Sequence, residues 1–369
     1  MATPQNRSLL TRWTTYAPVV AVVALAVVWG RALPLVVVLV IAVLLGAAVL
    51  AAVHHAEVVA HRVGEPFGSL VLAVAVTIIE VALIVTLMSS GGAKSATLAR
   101  DTVFAAVMIT TNGIVGMSLL IGARKFRFSR FHAEGTGAAL ACIAVIATLC
   151  LVLPVFTESE PGPEFTGPQL AFVAVSSLLV YGLFVIMQTV RHRDFFLSVD
   201  TNGDTIRAED DNHTEPPTTR ATLVSLGLLL VALVAVVGLA KIESVPLEQA
   251  IAAVGLPQSV AGIVIALLVL APETLAAANA ARRERIQTSL NLGYGSAMAS
   301  IGLTIPTIAV ASIWLPSPLL LGLGNTHIVL LFLTLLVSVL TVVPGRATRL
   351  QGGVHLILLA AYIFLAVSP

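Results

Sequence analysis

The sequence has little charge. Only 11% of its 369 residues are Asp, Glu, Lys or Arg, against about 25% in an ordinary soluble domain. A soluble chain of this length needs many more charges to cover its surface, so that class is excluded. The formal net charge is +1. No basic field exists for a nucleic-acid partner, and bulk charge names no other. Cysteine is nearly absent: Cys142 and Cys150 are the two. Eight residues apart on one helix is about 12 Å of rise, too far for a disulfide between them. There is no CxxC pair and no HExxH, so a zinc site has no support. No nucleophile–base constellation appears, which leaves a membrane-embedded hydrolase without a basis. No cofactor is expected.

What the chain has instead is long apolar runs, with 58% hydrophobic residues. Ala32 to Val53 contains no charge, and Phe67 to Met88 contains one acid. About 20 such residues cross the hydrocarbon core as a helix. The runs predict an all-α polytopic membrane protein, with the lipid bilayer as a partner. Eleven spans fall near 15–30, 33–53, 67–89, 101–121, 135–156, 167–189, 221–240, 259–280, 287–311, 326–343 and 351–367. Trp13 and Trp29 flank the first, as interfacial residues do. Arg7 and Arg12 before it admit a signal peptide, but no convincing small-residue cleavage site follows before Arg31.

Lysines and arginines orient the loops. With the N-terminus cytoplasmic, 16 of the 20 lie on the cytoplasmic side and Arg31, Lys94, Arg100 and Lys241 lie outside. The expectation is therefore N-terminus in, C-terminus out. Residues 191–220 form the longest break. Seven acids and Pro216-Pro217 make it an acidic cytoplasmic tether, or, as a sharper reading, a weak divalent-cation sensor. It divides the chain into an N-terminal tail and helix (1–31), a five-helix unit (32–190), the linker (191–220) and a second five-helix unit (221–369). His54, His55 and His61 gather at the cytoplasmic end of the second span. They read as interfacial residues, with pH sensing or catalysis as the alternative.

Two acids sit deep inside predicted spans: Glu80 in the third and Glu273 in the eighth. Ionisable groups at such depth are costly and mark ion or proton pathways. Each lies on the second helix of its five-helix unit, and the two helices run in opposite directions. That is the pattern of inverted-topology repeats with a site near the midplane. Pro272 precedes Glu273 and frees a carbonyl one turn earlier, a candidate hard-cation ligand. The following helices carry Thr110, Thr111, Asn112 and Gly113 in the first half, and Gly293, Gly295, Ser296 and Ser300 in the second. Close helix packing also explains the small residues; an amide such as Asn112 inside hydrocarbon needs partners.

These segments resemble the calcium/cation antiporter superfamily in its cation/proton branch. The matching pieces are His61-Arg62-Val63-Gly64-Glu65-Pro66-Phe67-Gly68, Thr77-Ile78-Ile79-Glu80-Val81-Ala82-Leu83, Asn112-Gly113-Ile114-Val115-Gly116, Leu270-Ala271-Pro272-Glu273 and Asn291-Leu292-Gly293-Tyr294-Gly295-Ser296. The resemblance covers nearly the whole chain and implies a bacterial cytoplasmic membrane. It implies that Glu80 and Glu273 bind the exchanged ion and cycle the proton. Thr77, Asn112, Pro272, Gly295, Ser296 and Ser300 are the supporting ligands it suggests, and Glu65 a residue assisting the ion on its way in. Two departures reduce the side-chain ligands: the usual Gly-Asn before each glutamate is missing, and Met298-Ala299 stands where a glutamine is common. The expected function is secondary active export of Ca²⁺ in exchange for H⁺, with Na⁺(K⁺)/H⁺ exchange as the alternative. A passive cation channel is the rival of another class; the paired halves and the lack of a selectivity-filter-like motif stand against it.

Overall fold

Nearly every long apolar run becomes a helix, because in hydrocarbon a backbone must satisfy its own hydrogen bonds. The computed structural model describes residues 9–64, 67–91, 95–124, 127–199, 217–315 and 318–368. Eleven helices follow in chain order: α1 (Leu9–Val28), α2 (Leu35–Val63), α3 (Phe67–Gly91), α4 (Leu98–Gly122), α5 (Ala133–Val155), α6 (Gly167–Arg191), α7 (Thr219–Ala253), α8 (Ser259–Arg282), α9 (Ile286–Trp314), α10 (Asn325–Val342) and α11 (Arg349–Val367). The last ten are long and apolar enough to cross a membrane, whereas the apolar part of α1 is the shorter Trp13–Val28. The chain is an all-α multi-pass membrane protein, ten long helices plus a short N-terminal one, consistent with inverted repeats.

Two helices outrun their predicted spans. Helix α2 continues past Val53 to Val63, and α7 runs 35 residues to Ala253 through Pro246. Apolarity ends before the helix does, because Glu, Lys and Gln are good helix formers once past the hydrocarbon edge. Threonine caps start α6 and α11: in both, Thr166 with Gln169 and Thr348 with Gln351 form reciprocal capping boxes.

Two central helices are interrupted. Helix α4 passes through a π-helical segment, Ile109–Ile114. There the Thr110 and Thr111 hydroxyls donate to the carbonyls of Ala106 and Val107, the back-bonding that bends helices. Helix α9 breaks after Gly302 and resumes at Thr304. Pro306 accounts for the break: it lacks an N–H and its ring clashes with the carbonyl four residues earlier.

The apolar window of α4 is 78% buried, against 22% for α11, so α4 is a core helix and α11 a lipid-facing one. Helix α2 packs on α7 with α1 against both, and α4 packs on α8. Helices α4 and α11 cross at Gly116 and Gly352. A Cβ on Gly116 would come within 2.9 Å of the Gly352 carbonyl oxygen, so only glycine lets the backbones meet.

The loops pair side by side as the alternation of spans requires. Arg62 donates to Thr219 (3.2 Å), and a two-stranded antiparallel bridge joins β1 (Ser129–Arg130) to β2 (Arg346–Ala347). All four segments were expected on the cytoplasmic side. At the other face the Leu320 N–H donates to the Ala96 carbonyl, and the Lys241 ammonium sits 5.8 Å from the Trp29 ring centroid. These contacts fix which loops share a side, while the absolute orientation is a separate matter.

Candidate functional site

The second helix of each half delivers its glutamate to one place. Glu80 of α3 is 2% exposed and Glu273 of α8 is 9% exposed. Both line a single cavity of about 330 Å³. Thr77 of α3 and Gly295, Ser296 and Ser300 of α9 line it too. The wall also includes Tyr181 and Gln188 of α6 and Thr288 and Asn291 of α9. Along α9 the lining reaches from Ser300 back to Thr288, and along α3 from Glu80 back to Leu72. At 1.5 Å per residue these are about 18 and 12 Å of helix. The cavity thus runs from the glutamates toward the face where α3 and α9 begin and α6 ends.

The carboxylates are held unequally. Oε2 of Glu80 accepts hydrogen bonds from Ser300 Oγ (3.1 Å) and Thr304 Oγ1 (3.0 Å), both on α9 of the other half. The helix break at Leu303 lies between these two residues. Among the described residues, Oε1 of Glu80 and Oε2 of Glu273 are buried without a hydrogen-bond partner. A buried carboxylate oxygen without a donor is expensive. Binding a cation or taking a proton removes that cost. Low dielectric strengthens both competitors, because it penalises the bare charge. No group of three or more His, Cys, Asp or Glu able to hold a metal occurs among the described residues. The polar side chains lining the cavity are two carboxylates, the hydroxyls of Thr77, Tyr181, Thr288, Ser296 and Ser300, and the amides of Gln188 and Asn291.

The remaining sequence candidates divide. Asn112 is completely buried but outside the cavity lining. Its Nδ2 donates to Thr334 Oγ1 (2.9 Å) on α10, and its Oδ1 faces Nδ1 of His355 (3.0 Å) on α11. The amide's need for partners is met by packing across the two halves. Pro272 is likewise absent from the lining. Glu65 lies outside the described residues. Of the histidines, His55 Nε2 contacts the Thr14 carbonyl (3.0 Å) and ties α2 to α1, a structural task; His61 is exposed.

Sequence reasoning missed Thr304, Gln188, Thr288 and Asn291 as wall or partner residues. They come from helix ends or beyond a break, where linear spacing carries no signal of facing. Besides Asp101, which is buried in an ion pair with Arg100 (2.8 Å), it also missed a further buried carboxylate, Glu243, which lies past the predicted end of the seventh span. In α7 it is 8% exposed with Oε1 unpaired among the described residues. The observed helix length was the only signal that could have found it.

Comparison with known proteins follows the same lines. The model of the family described as sodium/calcium exchanger protein matches residues 33–190 and again 224–368. The chain is 43% identical over 364 residues to y4hA of Sinorhizobium fredii (strain NBRC 101917 / NGR234), named an ionic transporter, covering 97% of this chain and 96% of that one. It is 35% identical over 350 residues to the sodium-potassium/proton antiporter ChaA of Escherichia coli (strain K12), covering 94% and 93%. The crystal structure of the H⁺/Ca²⁺ exchanger CAX shares the fold with a TM-score of 0.72 at 15% identity, over 96% of this chain and 88% of that one.

Proposed function

This chain belongs to the sodium/calcium exchanger protein family, in the cation/proton exchanger branch of the calcium/cation antiporter superfamily, a group of transporters and not of enzymes; from that premise we propose that it is a secondary active antiporter of the bacterial cytoplasmic membrane, exporting Ca²⁺ in exchange for H⁺ through Glu80 and Glu273. The observation that carries the reading is that one glutamate from each half lines one cavity, and each keeps a buried oxygen without a partner.

The mechanism is competition. Two carboxylates offer charge −2 to a divalent cation or become neutral by taking two protons. Either state crosses a low-dielectric barrier at modest cost. The empty, doubly charged state costs most, so the protein turns only when loaded, and that enforces exchange over leak. Ser300 and Thr304 hold Glu80 in place, while Thr77, Ser296 and the backbone at Gly295 supply further oxygen. Calcium takes 6–8 oxygen ligands, which leaves room for water in the cavity. The membrane potential adds about 2.3 kcal/mol per net charge per 100 mV, so voltage assists any stoichiometry above two protons per Ca²⁺. Asn112 and Pro272 serve the scaffold in this conformation, and Glu65 assists the ion on its way in.

The units 32–190 and 221–369 act as inverted repeats about this site, with 191–220 joining them on the cytoplasmic side. With the N-terminus inside, the cavity opens toward the cytoplasm. Reporter tags are expected to place 191–220 inside and Pro369 outside; a cytoplasmic Pro369 overturns that orientation.

The second reading is Na⁺(K⁺)/H⁺ exchange, favoured by the 35% identity to a protein named for it and by the few side-chain ligands around the two acids. Proton flux by the purified protein in liposomes, with Ca²⁺, Na⁺ and K⁺ offered separately, separates the two. Proton release evoked by Ca²⁺ supports the first. Release evoked by Na⁺ or K⁺ alone reverses the order. Cation movement without any counter-ion makes it a channel.

A further inference from the structure

A second cavity, sharing no lining residue with that of the glutamates, lies where α4 ends and α11 begins. Beside the Gly116–Gly352 crossing a slot of about 360 Å³ opens on the surface of the helix bundle. It is lined by Met117, Leu120, Ile121 and Arg124 of α4 and its C-terminal turn, and by Arg349 and Leu356 of α11. The four apolar side chains are half-buried and the two arginines are exposed. Apolar wall and cationic rim are stacked along the helix axes at a membrane boundary.

Arg349 is pre-set. Its Nε donates to the Ala123 carbonyl (2.8 Å) and one of its Nη groups to the Arg124 carbonyl (2.7 Å). These are terminal carbonyls of α4, where a cation also meets the negative end of the helix dipole. Guanidinium carries five N–H donors, so three remain for another acceptor. A planar cation held rigidly with spare donors suits a phosphate oxygen. Arg124 supplies a second charge on the same rim.

We propose that this slot is a binding site for an anionic phospholipid, with the phosphate on Arg124 and Arg349 and an acyl chain against Met117, Leu120, Ile121 and Leu356. The apolar wall argues for lipid over a free anion, and the two positive charges argue for an anionic headgroup over a zwitterionic one. A lipid seated there braces the crossing on which α4 and α11 depend.

Native mass spectrometry of the full chain, titrated with phosphatidylglycerol and separately with phosphatidylcholine, tests this. Phosphatidylglycerol is expected to be retained preferentially. Arg124→Gln and Arg349→Gln are each expected to weaken retention roughly fivefold. Leu356→Trp, which fills the slot and keeps both arginines, is expected to abolish it. Arg127→Gln removes an equal charge from an exposed position outside the slot and is expected to change nothing. Arg124→Gln and Leu356→Trp keep the test decisive if Arg349→Gln fails to fold. Equal retention of the two lipids, or an equal loss in Arg127→Gln, overturns the proposal. Displacement of bound lipid by inorganic phosphate overturns it in favour of a free-anion site.

Discussion

The helices that follow the two glutamates, α4 and α9, hold their polar residues in opposite ways. In α4 the hydroxyls of Thr110 and Thr111 turn back onto their own helix, and Asn112 is committed to Thr334 and His355. In α9, Ser296 and Ser300 face the cavity, and Ser300 with Thr304 reaches across to Glu80. The polar residues at the π-helical segment of α4 therefore hold helices together, and those flanking the break in α9 serve the cavity. Glu80 is pinned by hydroxyls of the opposite half, whereas among the described residues no hydroxyl holds Glu273. In the proposed mechanism one ligand is thus anchored and the other freer.

The largest effect expected is loss of both carboxylates' function one at a time. Glu80→Gln and Glu273→Gln should each abolish coupled exchange in liposomes while the protein stays folded and inserted. Glutamine keeps the shape but can neither hold the charge nor cycle the proton. Strong coupled flux by a well-inserted Glu273→Gln protein breaks the two-carboxylate mechanism.

The pH response comes next. In the proposed mechanism protons and cations compete for the same groups, so apparent cation affinity is expected to fall as pH falls and to recover as it rises. If one Ca²⁺ displaces two protons, the apparent Kd rises roughly hundredfold per unit drop in pH within the titrating range; one Na⁺ displacing one proton gives about tenfold. Binding calorimetry across pH reads this slope. A Kd independent of pH removes the shared site.

Smaller is the contribution of the cross-half hydroxyls. A hydrogen bond to a charged group is worth about 1.5–3 kcal/mol. Ser300→Ala and Thr304→Ala should each lower cation affinity by roughly ten- to a hundredfold with little change in folded yield. Equal affinity in wild type and the double variant would mean that Glu80 does not need its anchors.

Smallest on transport is Asn112→Ala. It leaves Nδ1 of His355 without its partner in the core and removes a donor from Thr334, at about 1–3 kcal/mol of stability. Thermal denaturation should register that cost, and cation affinity per folded molecule should not move. A loss of affinity without a loss of stability would return Asn112 to the ion site.

The spans, their alternation and the two acids were legible because each is written locally: apolar length, loop charge, and a charge where none is tolerated. The cavity's lining was half legible. The family resemblance names Thr77, Ser296 and Ser300, and the structure puts Thr77 one turn before Glu80 and Ser296 one turn before Ser300, all in the lining. Thr304 did not follow, because the Leu303 break sets its register. Asn112 showed the limit most plainly. Its burial and its need for partners were readable, but whether they are an ion or Thr334 and His355 depends on helices more than 200 residues away. Glu243 was hidden because composition marks where hydrocarbon ends, not where a helix does.

The short β1–β2 bridge has a consequence for motion. It clasps the connection between α4 and α5 to the connection between α10 and α11, one from each half of the chain. While those strands stay paired, these four helices share a pivot and travel as one piece. In the antiport cycle proposed above, the units 32–190 and 221–369 then do not swing as two separate bodies, because two helices of each are tied to two of the other.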